Sequence, residues 1–482
     1  MVGIVSYGAY IPWYRLSREE FRRAWGGFAI PGERSVANYD EDSLTMAVEA
    51  SIDCLADTDA GTVDGLIFAT TTAPYTEKQG SAIMALALDL RRDVRTADMT
   101  NSLRAGATGM AWARDAIEAG SLSKVLVAAS DCRLAGPSSM LEQMLGDGAA
   151  ALLLGKDDLI ATIEDSYSIS DEFAGLWRAS TDTFVRSWEE RMVLDEGYSS
   201  VLPQAIAGLM KKCDLAPKDF AKLVLDLPTD VRRPGRVATQ AGFEAAQLQD
   251  GASLFMSVGV TGVASGMMGL VAALEEAEPG DRILFACYGN GADALVLRVT
   301  EGIAKLGPRR GMKNHLASKK MLTNYEKYLK WRKLVAEGPL LGRGRDLTSL
   351  SALHRDSRIL LGFYGKKCLR CGTPQFFQGG VGYPPIRVCI ACQAKDQFED
   401  YRFAGRKGVV FSFTQDNLIP AMDPPAAVAV VDFDGGGRAF LDLTDRDPDK
   451  MEVGMKVEPT FRKLFFDQGI HNYFWKIRPI RC

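Results

Sequence analysis

Short apolar runs alternate with helical patterns over residues 1–300 of the chain. Strand-like runs lie at 63–70 and 282–287, and helical stretches such as 43–55 lie between runs of this kind. The alternation predicts α/β layers around a largely buried sheet. Over 396–482 the pattern changes to short β-type runs separated by turns, which predicts a small barrel.

An internal repeat divides the α/β region into two halves. Residues 106–130 align without gaps on 264–288, and 146–154 match 289–297 in the same order. Identities are few, but the succession of helix, acidic turn and apolar strand is the same in both copies. The two offsets differ by 15 residues, which places an inserted loop around 132–145 in the first half. We therefore predict a duplicated α/β half, with chance similarity between ordinary α/β segments as the weaker alternative.

The composition is that of a globular protein with more than one domain. Of its 482 residues, 47% are hydrophobic and 24% are charged, which excludes a mainly disordered chain. The net charge of −4 gives no electrostatic support for nucleic-acid binding. The first residues lack the basic segment of a signal peptide, and the uncharged stretch 251–274 is rich in glycine, so we expect a buried loop and helix there and no membrane span. We therefore expect a cytoplasmic protein without disulfides.

The strongest chemical signal is a pair of Cys-x-x-Cys units. Cys368 and Cys371 form the first unit, and Cys389 and Cys392 form the second. Four thiolates at this spacing can surround one tetrahedral Zn²⁺, and a site with four protein ligands has no open position, so the predicted role is structural. A redox dithiol pair is the alternative, which two units at this spacing disfavour. Loss of the metal is expected to unfold 366–395.

The cysteine units also carry a family resemblance. A helix at 325–335, the two cysteine units and then a small barrel resemble the DUF35 architecture, a rubredoxin-like zinc ribbon followed by an OB-fold. In that family the module accompanies thiolase-superfamily enzymes that act on acyl-CoA, as a partner or as a fusion. OB-folds also bind nucleic acid, but the acidic balance of the chain argues against that role.

The region 1–300 resembles the thiolase superfamily and is most similar to its HMG-CoA synthase branch. The resemblance implies two similar halves in a five-layered α/β/α/β/α unit, a coenzyme A thioester as substrate, and a homodimer that can also engage a further thiolase-like chain. The segments that carry it are 40–49, 146–151, 184–190 and 288–292.

Patterns and resemblances together predict an ordered set of domains. The segment 301–345 holds 12 Lys and Arg against 3 Glu, and we interpret it as a solvated linker that contains a helix. The alternative is that its positive charge attracts a phosphate-bearing ligand such as coenzyme A. The expected domains are a thiolase-like domain at 1–300 with halves at about 1–160 and 161–300, the basic linker at 301–365, the zinc ribbon at 366–395 and the OB-fold at 396–482.

The catalytic residues of the thiolase family do not carry over to this sequence. The family's nucleophilic cysteine falls on Leu103 with Ser102 beside it, and its histidine falls on Asp226. Its acidic residue falls near Thr71, and its asparagine near Val258–Gly259. The three histidines of the chain all lie beyond residue 300, so the thiolase-like domain cannot form a Cys-His pair. Aldol or retro-aldol chemistry remains open, because it needs a base and enolate donors but no acyl-enzyme.

Several groups near the family positions can supply this chemistry. Asp226 lies in an apolar strand, where burial raises the pKa of a carboxyl as a general base requires. Its structural alternative is an N-terminal cap or a salt bridge to Arg232. Cys287 lies in a turn similar to the one that holds the family's acid/base cysteine. Its thiol can act as an acid or base if its pKa is lowered, and otherwise Cys287 is a buried cysteine of the core. The side chains of Tyr288 and Asn290 can donate hydrogen bonds to an enolate oxygen, or these residues only shape the backbone of the turn. Ser102 is a nucleophile only with a base that the sequence does not place.

Three arginines follow in the segment where the family contacts the phosphates of coenzyme A. Arg232, Arg233 and Arg236 carry guanidinium groups, which bind phosphate well, and a plain surface cluster is the alternative. These residues are the predicted cofactor-binding set.

The sequence leaves two hypotheses of different class. One is an acyl-CoA enzyme that makes or breaks a carbon–carbon bond without the family cysteine, by condensation or by retro-aldol cleavage of a β-hydroxyacyl-CoA. The other is a non-catalytic thiolase-like scaffold that supports a partner thiolase or channels its substrate. An open tunnel from the arginines to Asp226 and Cys287 favours the first, and a tunnel filled by Leu103 and Trp112 favours the second.

Overall fold

The computed structural model describes residues 1–335, 347–376 and 386–481, and the chain divides into two compact units. The first unit comprises Met1–Ala37 and Asp42–Leu329, and the second comprises Asn38–Glu41 and Lys330–Cys482. Parts of two predicted domains lie outside the described residues, namely 336–346 of the linker and 377–385 of the zinc ribbon.

The first unit alternates strands and helices along its length. Its strands are β1 (Gly3–Tyr10), β2 (Tyr14–Ser17), β3 (Glu33–Val36), β4 (Gly65–Ala69), β5 (Arg95–Met99), β6 (Val125–Asp131), β7 (Gly148–Gly155), β8 (Ala161–Ser170), β9 (Leu176–Trp177), β10 (Arg186–Ser187), β11 (Lys222–Leu225), β12 (Arg282–Tyr288), β13 (Gly291–Val299) and β14 (Lys320–Met321). Its helices are α1 (Glu19–Trp25), α2 (Ser43–Cys54), α3 (Gly80–Ala87), α4 (Ala105–Glu118), α5 (Met140–Met144), α6 (Glu190–Met192), α7 (Ser199–Cys213), α8 (Arg233–Gln240), α9 (Gly251–Ser257), α10 (Ala264–Leu274) and α11 (Gly311–Ala317). The helix α12 (Tyr325–Trp331) begins in the first unit and ends with two residues that belong to the second.

A nine-stranded sheet runs through the first unit in the order β11-β12-β13-β8-β1-β7-β6-β4-β5. Each half repeats one strand order. In the first half β1 pairs with β7, and β7 pairs with β6. In the second half β8 pairs with β13, and β13 pairs with β12, in the same way. The halves meet where Gly3 and Ile4 of β1 pair with β8. The second half lacks a full counterpart of β5, and a bridge between Leu223 and Leu248 stands in its place. The predicted duplication is confirmed.

The central strands are buried on both faces, because helices cover each side of the sheet in both halves. Helices α4 and α10 form the middle of five layers, with α2 and α7 on the outside. In β12, Phe285 and Cys287 face a core that includes α4 and α10, whereas Leu284 and Ala286 face a second core with α7. The α2 helix covers the other face of β1, β6 and β7. Helices α4 and α10 pack closely, since a Cβ on Gly106 would lie 2.7 Å from the sulfur atom of a methionine in α10.

The uncharged stretch 251–274 forms α9 and α10, joined by a tight turn. Gly259 and Gly262 in this turn take positive φ angles of 94° and 62°, which residues with a Cβ rarely adopt. Along the described ranges, no helix combines the length and apolar character that crossing a membrane requires.

The second unit contains two small sheets. Its strands are β15 (Tyr364–Cys368), β16 (Pro374–Gln375), β17 (Phe398–Arg402), β18 (Gly408–Asp416), β19 (Ala426–Phe433), β20 (Arg438–Asp442), β21 (Lys456–Asp467) and β22 (Ile470–Pro479), and its helices are α13 (Leu350–Arg355) and α14 (Ser357–Leu360). The cysteine-bearing sheet has the order β16-β15-β17, and the second has the order β20-β19-β18-β21-β22. A parallel bridge from Leu443 to Ile477 in β22 connects the two ends of the second sheet, as a barrel requires.

A buried ionic cluster ties the segment Asn38–Glu41 into the second unit. Arg462 pairs with Glu41 and lies 2.6 Å from Asp445, and the side chains of all three are 1% exposed or less. Burial alone would raise the pKa of Asp445, but the charges of Arg462 and its neighbours hold that pKa below its usual range. The cluster therefore depends on full charge pairing.

Candidate active site

The turn between β12 and β13 brings predicted residues from both halves together. The backbone N–H of Tyr288 donates to the carboxyl of Asp226 at 3.1 Å. The carbonyl of Gly289 accepts from the hydroxyl of Ser102 at 2.9 Å. Gly289 cannot carry a side chain here, because a Cβ would lie 2.8 Å from the backbone nitrogen of Arg104. Asp226 and the loop before α4 thus converge on two consecutive residues of this turn.

Asp226 is buried at the carboxyl end of β11. Only 7% of its surface is exposed, and this burial raises the pKa of Asp226 to about 7, although the hydrogen bond from Tyr288 opposes the shift. Arg232, which sequence reasoning offered as a salt-bridge partner, pairs instead with Asp230 at 3.1 Å. A buried carboxyl whose pKa lies near neutral pH is suited to act as a general base.

Cys287 does not have the lowered pKa that an acid/base role requires. Its side chain is 3% exposed and packs against α10 at Gly266. Burial, together with the charges of Asp226 and Asp293, raises the pKa of the thiol well above its usual value. The thiol therefore stays protonated at neutral pH, as a core cysteine does.

Tyr288 and Asn290 differ in what their side chains can do. Burial, together with the charges of Asp171 and Asp226, raises the pKa of Tyr288 to about 12, so its hydroxyl stays protonated and can donate. Asn290 takes a φ of 50°, and its amide donates to the carbonyl of Phe173 at 3.3 Å. The structure thus shows the turn role of Asn290, and its role as an enolate donor stays a prediction.

Leu103, at the position of the family nucleophile, lies in the loop before α4 and packs partly against the core. Ser102 beside it donates its hydroxyl hydrogen to a backbone carbonyl, so no base withdraws that proton. His315 packs edge-on against Tyr10 with ring centres 5.2 Å apart. Trp112, considered above as a plug, is 64% exposed.

Arg104 is a site residue that sequence reasoning missed. Its guanidinium donates to the carbonyl of Ile169 at 2.7 Å and to Asp293 at 3.1 Å, and Thr108 of α4 donates to the same carboxyl. These bonds join the start of α4 in the first half to β8 and β13 in the second. The signal in the sequence was a charged residue directly before the uncharged first two turns of α4.

Asp131, at the end of β6, organises the loop where the family's acidic residue falls. It accepts from the backbone N–H and the hydroxyl of Thr71 at 2.7 and 2.8 Å. Thr70 and Thr72 donate to it as well, and so does the N–H of Val263 at the start of α10. Five donors therefore occupy both carboxylate oxygens.

The three predicted phosphate-binding arginines do not act alike. Arg233 is held by Asp230 and Asp195 with its side chain only 12% exposed, so its guanidinium is already paired, and phosphate binding by Arg233 stays a prediction. Arg232 and Arg236 are exposed and face a hollow of about 500 Å³. The lining residues of this hollow are Arg232, Gly235, Arg236, Thr239 and Gln240.

The four cysteines predicted as zinc ligands form one compact cluster in the second unit. Their sulfur atoms all lie within 4.8 Å of one another, and Cys368 lies 3.7 Å from Cys392. A tetrahedral Zn²⁺ with Zn–S bonds of about 2.3 Å separates its sulfurs by about 3.8 Å, so the cluster fits this ion. Gly372 and Gln393, each four residues after a cysteine and at positive φ, close the two knuckles.

Comparison with known proteins identifies relatives of both parts of the chain. The chain is 32% identical over 344 residues to the hydroxymethylglutaryl-CoA synthase of Methanopyrus kandleri, which covers 69% of this chain and 97% of the relative. It is also 32% identical over 348 residues to the enzyme of the same name from Caldivirga maquilingensis, which covers 69% and 98%. Residues 401–462 match the family model described as "ChsH2, C-terminal OB-fold domain".

Solved structures share the fold of the first unit. An HMG-CoA synthase complexed with CoA superposes with a TM-score of 0.63 at 21% identity, covering 68% of this chain and 89% of that chain. A β-ketoacyl-[acyl carrier protein] synthase III from Thermus thermophilus superposes with a TM-score of 0.56 at 20% identity, covering 62% of this chain and 99% of that chain. The thiolase-like fold class and the C-terminal OB-fold expected from the sequence are thus confirmed.

Proposed function

Because the chain belongs to the hydroxymethylglutaryl-CoA synthase family, we propose that it is an acyl-CoA enzyme that makes or breaks a carbon–carbon bond by proton transfer, without a cysteine acyl-enzyme. The relatives' name supports a coenzyme A thioester as substrate, and so does the CoA bound in the solved HMG-CoA synthase. The exposed pair Arg232 and Arg236 supplies charge for the CoA phosphates. Zinc in the four-cysteine cluster is structural, and a homodimer stays a prediction.

The buried Asp226 carboxyl is the observation that carries this proposal. It takes the position of the family histidine, and its pKa of about 7 lets it both accept and return a proton near neutral pH. The position of the family nucleophile holds Leu103, whose side chain cannot form a thioester. The site thus keeps a base while it lacks the nucleophile.

A retro-aldol step illustrates what these residues do. The Asp226 carboxylate takes the proton of a β-hydroxyl group, the bond between the α- and β-carbons breaks, and its electron pair moves into the thioester as an enolate. The β-carbon leaves as a ketone or aldehyde. The Tyr288 hydroxyl donates a hydrogen bond to the enolate oxygen. Asp226 returns the proton to the α-carbon, which completes an acyl-CoA, and the reverse sequence forms the bond.

The test uses the full chain with panels of acyl-CoA and β-hydroxyacyl-CoA compounds, with products followed by mass spectrometry. We expect turnover whose kcat/KM rises with an apparent pKa near 7, and a loss of at least about 100-fold in Asp226→Asn. Ser102→Ala should retain activity, and the intact protein should carry no acyl adduct. An adduct on Ser102 or Cys287, or full activity of Asp226→Asn, would overturn the proposal. Asp250→Asn, at the exposed N-cap of α9, is the matched control.

A non-catalytic scaffold is the second candidate function. The observations that favour it are Leu103 in the nucleophile position and the buried, protonated Cys287. A scaffold predicts no turnover by the chain alone, and turnover when a thiolase-like chain with its own cysteine is added. Asp226→Asn would then leave the activity of the pair unchanged.

A further inference from the structure

The segment 171–198, between β8 and α7, is rich in aromatic and acidic residues. Five of its 28 residues are aromatic, about twice the 9% of the whole chain, and it holds seven Asp and Glu against three Arg. Its strands β9 and β10 form a two-stranded sheet of their own, and Trp177 and Trp188 are about half exposed. Half-exposed tryptophans bury apolar surface when a ligand covers them, so this segment is a candidate binding surface.

Hydrogen bonds attach this segment to both halves of the first unit beside the candidate active site. In the second half, the side-chain amide of Asn290 donates to the carbonyl of Phe173 at 3.3 Å. In the first half, the carbonyl of Leu134, in the loop after β6, accepts from the N–H of Val185 at 2.8 Å. The segment therefore crosses from one half to the other next to the turn that carries Tyr288.

The ring of Phe173 lies beside the hydroxyl of Tyr288. A Cβ on Gly197 would overlap that hydroxyl and lie 3.2 Å from Cε1 of Phe173. Gly197 belongs to a π-helical stretch, Val193–Tyr198, and such stretches are rare in proteins and frequent at functional sites. In the proposed mechanism the Tyr288 hydroxyl donates to the thioester oxygen, so the acyl chain next to that oxygen reaches the ring of Phe173.

Trp188 extends this aromatic surface toward solvent. Its ring centre lies 5.9 Å from that of Phe173, and the two ring planes are inclined by 53°. The backbone N–H of Trp188 donates to the carbonyl of Gly175 at 3.0 Å, which fixes its place beside Phe173. We call Phe173 and Trp188 the aromatic wall. An apolar group on this wall would remove exposed ring surface from water, which is favourable.

The charges near the aromatic wall disfavour an anionic acyl group. Burial raises the pKa of Tyr288, and the charge of Asp171 raises it further, so this carboxylate lies close enough to act on the Tyr288 hydroxyl. Arg186 of the same segment lies 2.6 Å from Asp182, which offsets its positive charge. A carboxylate carried by the acyl group would therefore meet a surface with an excess of negative charge.

We propose that the aromatic wall selects CoA thioesters whose β-carbon carries an uncharged, apolar group such as a ring. The inference rests on the proposed function, because it assumes that a CoA thioester occupies the site. The β-carbon is two bonds from the thioester carbonyl, so its substituent reaches Phe173 while Tyr288 holds the oxygen. The hydroxymethylglutaryl group in the relatives' name ends in a carboxylate, so the acyl group inferred for this chain is of a different class.

The test is isothermal titration of the full chain with 3-phenylpropanoyl-CoA, butanoyl-CoA, glutaryl-CoA and CoA itself. The three thioesters lack a β-hydroxyl group, so they bind without retro-aldol cleavage, and they differ in the group on the β-carbon. We expect the wild type to bind 3-phenylpropanoyl-CoA about 10-fold or more tightly than butanoyl-CoA, since ring contacts and buried ring surface together are worth about that factor. Glutaryl-CoA should bind no more tightly than butanoyl-CoA, because its terminal carboxylate is repelled.

Two variants assign the preference to the aromatic wall. Trp188→Ala changes an exposed side chain, where folding is not at risk, and Phe173→Leu keeps an apolar side chain in place of the ring. Each should lower the preference for 3-phenylpropanoyl-CoA about 3-fold or more, while the affinities for butanoyl-CoA and CoA stay unchanged. Trp112→Ala, which removes an exposed tryptophan from α4, is the matched control and should bind all four compounds as the wild type does.

The remaining outcomes separate the inference from the proposed function. Equal affinities for 3-phenylpropanoyl-CoA and butanoyl-CoA in the wild type overturn the inference and leave the proposed function intact. Tighter binding of glutaryl-CoA than of the other two thioesters also overturns it, because the site would then favour an anion. A preference that persists in both Trp188→Ala and Phe173→Leu overturns the assignment to the aromatic wall. If neither CoA nor any thioester binds, the proposed function fails and the inference fails with it.

Discussion

The buried carboxyl of Asp226 should make the first unit less stable as the pH rises. Its pKa is about 7 in the folded chain, against 3.8 for an ordinary aspartate. Between these values the folded protein holds a proton that the unfolded chain has released, so the free energy of unfolding falls with rising pH. Each pKa unit is worth about 1.4 kcal/mol, so the stabilisation present below pH 3.8 decreases by about 4 kcal/mol by pH 7 and then stays constant.

Asp226→Asn removes this dependence while it keeps the shape of the side chain. Between pH 5 and pH 8, the stability of the variant relative to the wild type should increase by about 3 kcal/mol. At pH 8 the variant should be the more stable protein by about 3 kcal/mol, which is the full loss of about 4 kcal/mol in the wild type less about 1 kcal/mol for a weakened bond from the Tyr288 N–H. Asp250→Asn should behave oppositely, because hydrogen bonds from Ser253 lower the pKa of Asp250 and so stabilise the fold at neutral pH.

The assay is thermal unfolding at several pH values, combined with hydrogen exchange of the β11 and β12 amides, which reports on the first unit alone. The expected difference corresponds to a shift of roughly 5 °C or more in unfolding temperature. Parallel pH curves for wild type and Asp226→Asn would refute the reasoning. They would mean that the carboxyl ionises normally and that the proposed general base has no raised pKa.

Three other features make equally specific predictions. Gly266→Ala should destabilise the chain by about 1–3 kcal/mol, because the new Cβ would overlap the Cys287 thiol, whereas Gly269→Ala on the same helix should destabilise it less. In the double variant with Cys287→Ala the lost stability should return, and a double variant that unfolds at the same temperature as Gly266→Ala would contradict this packing. Elemental analysis of the purified protein should find one zinc per chain. Cys389→Ser should lose the metal, and the amides of β15 and β17 should lose their protection from hydrogen exchange. Metal retained in this variant would exclude a four-cysteine site. Arg462→Met should lower stability by about 3–5 kcal/mol, because it removes the cation that pairs with the buried Glu41 and one of the two arginines that pair with the buried Asp445. A loss below about 1 kcal/mol by urea unfolding would show that the cluster contributes little.

Much of the fold was predictable because the responsible signals are local or periodic. The four-cysteine cluster follows from the Cys-x-x-Cys spacing, since each loop closes within a few residues of its first cysteine. The duplicated halves follow from the matched order of helix and strand around Met110 and Met268. The missing counterpart of β5 was not predictable, because strand pairing at Leu248 depends on neighbours distant in sequence.

The candidate site was predictable only in outline. The apolar run around Asp226 indicated a buried carboxyl, and the structure shows it with a raised pKa. The ion pair of Arg233 was not predictable, since the Asp195 that pairs with it is 38 residues away in the chain. It also left the state of Cys287 open, because the pKa of a thiol depends on burial and on charges brought in by the fold.

The sequence by itself determined the residue types at the family positions: a leucine where a nucleophile is expected and an aspartate where a histidine is expected. Covalent chemistry follows from residue identity, so no fold can make Leu103 a nucleophile. Only the tertiary structure decided which charges are paired. Asp131 accepts hydrogen bonds from threonines some 60 residues earlier in the chain, and proximity of this kind arises only when strands distant in sequence pack side by side.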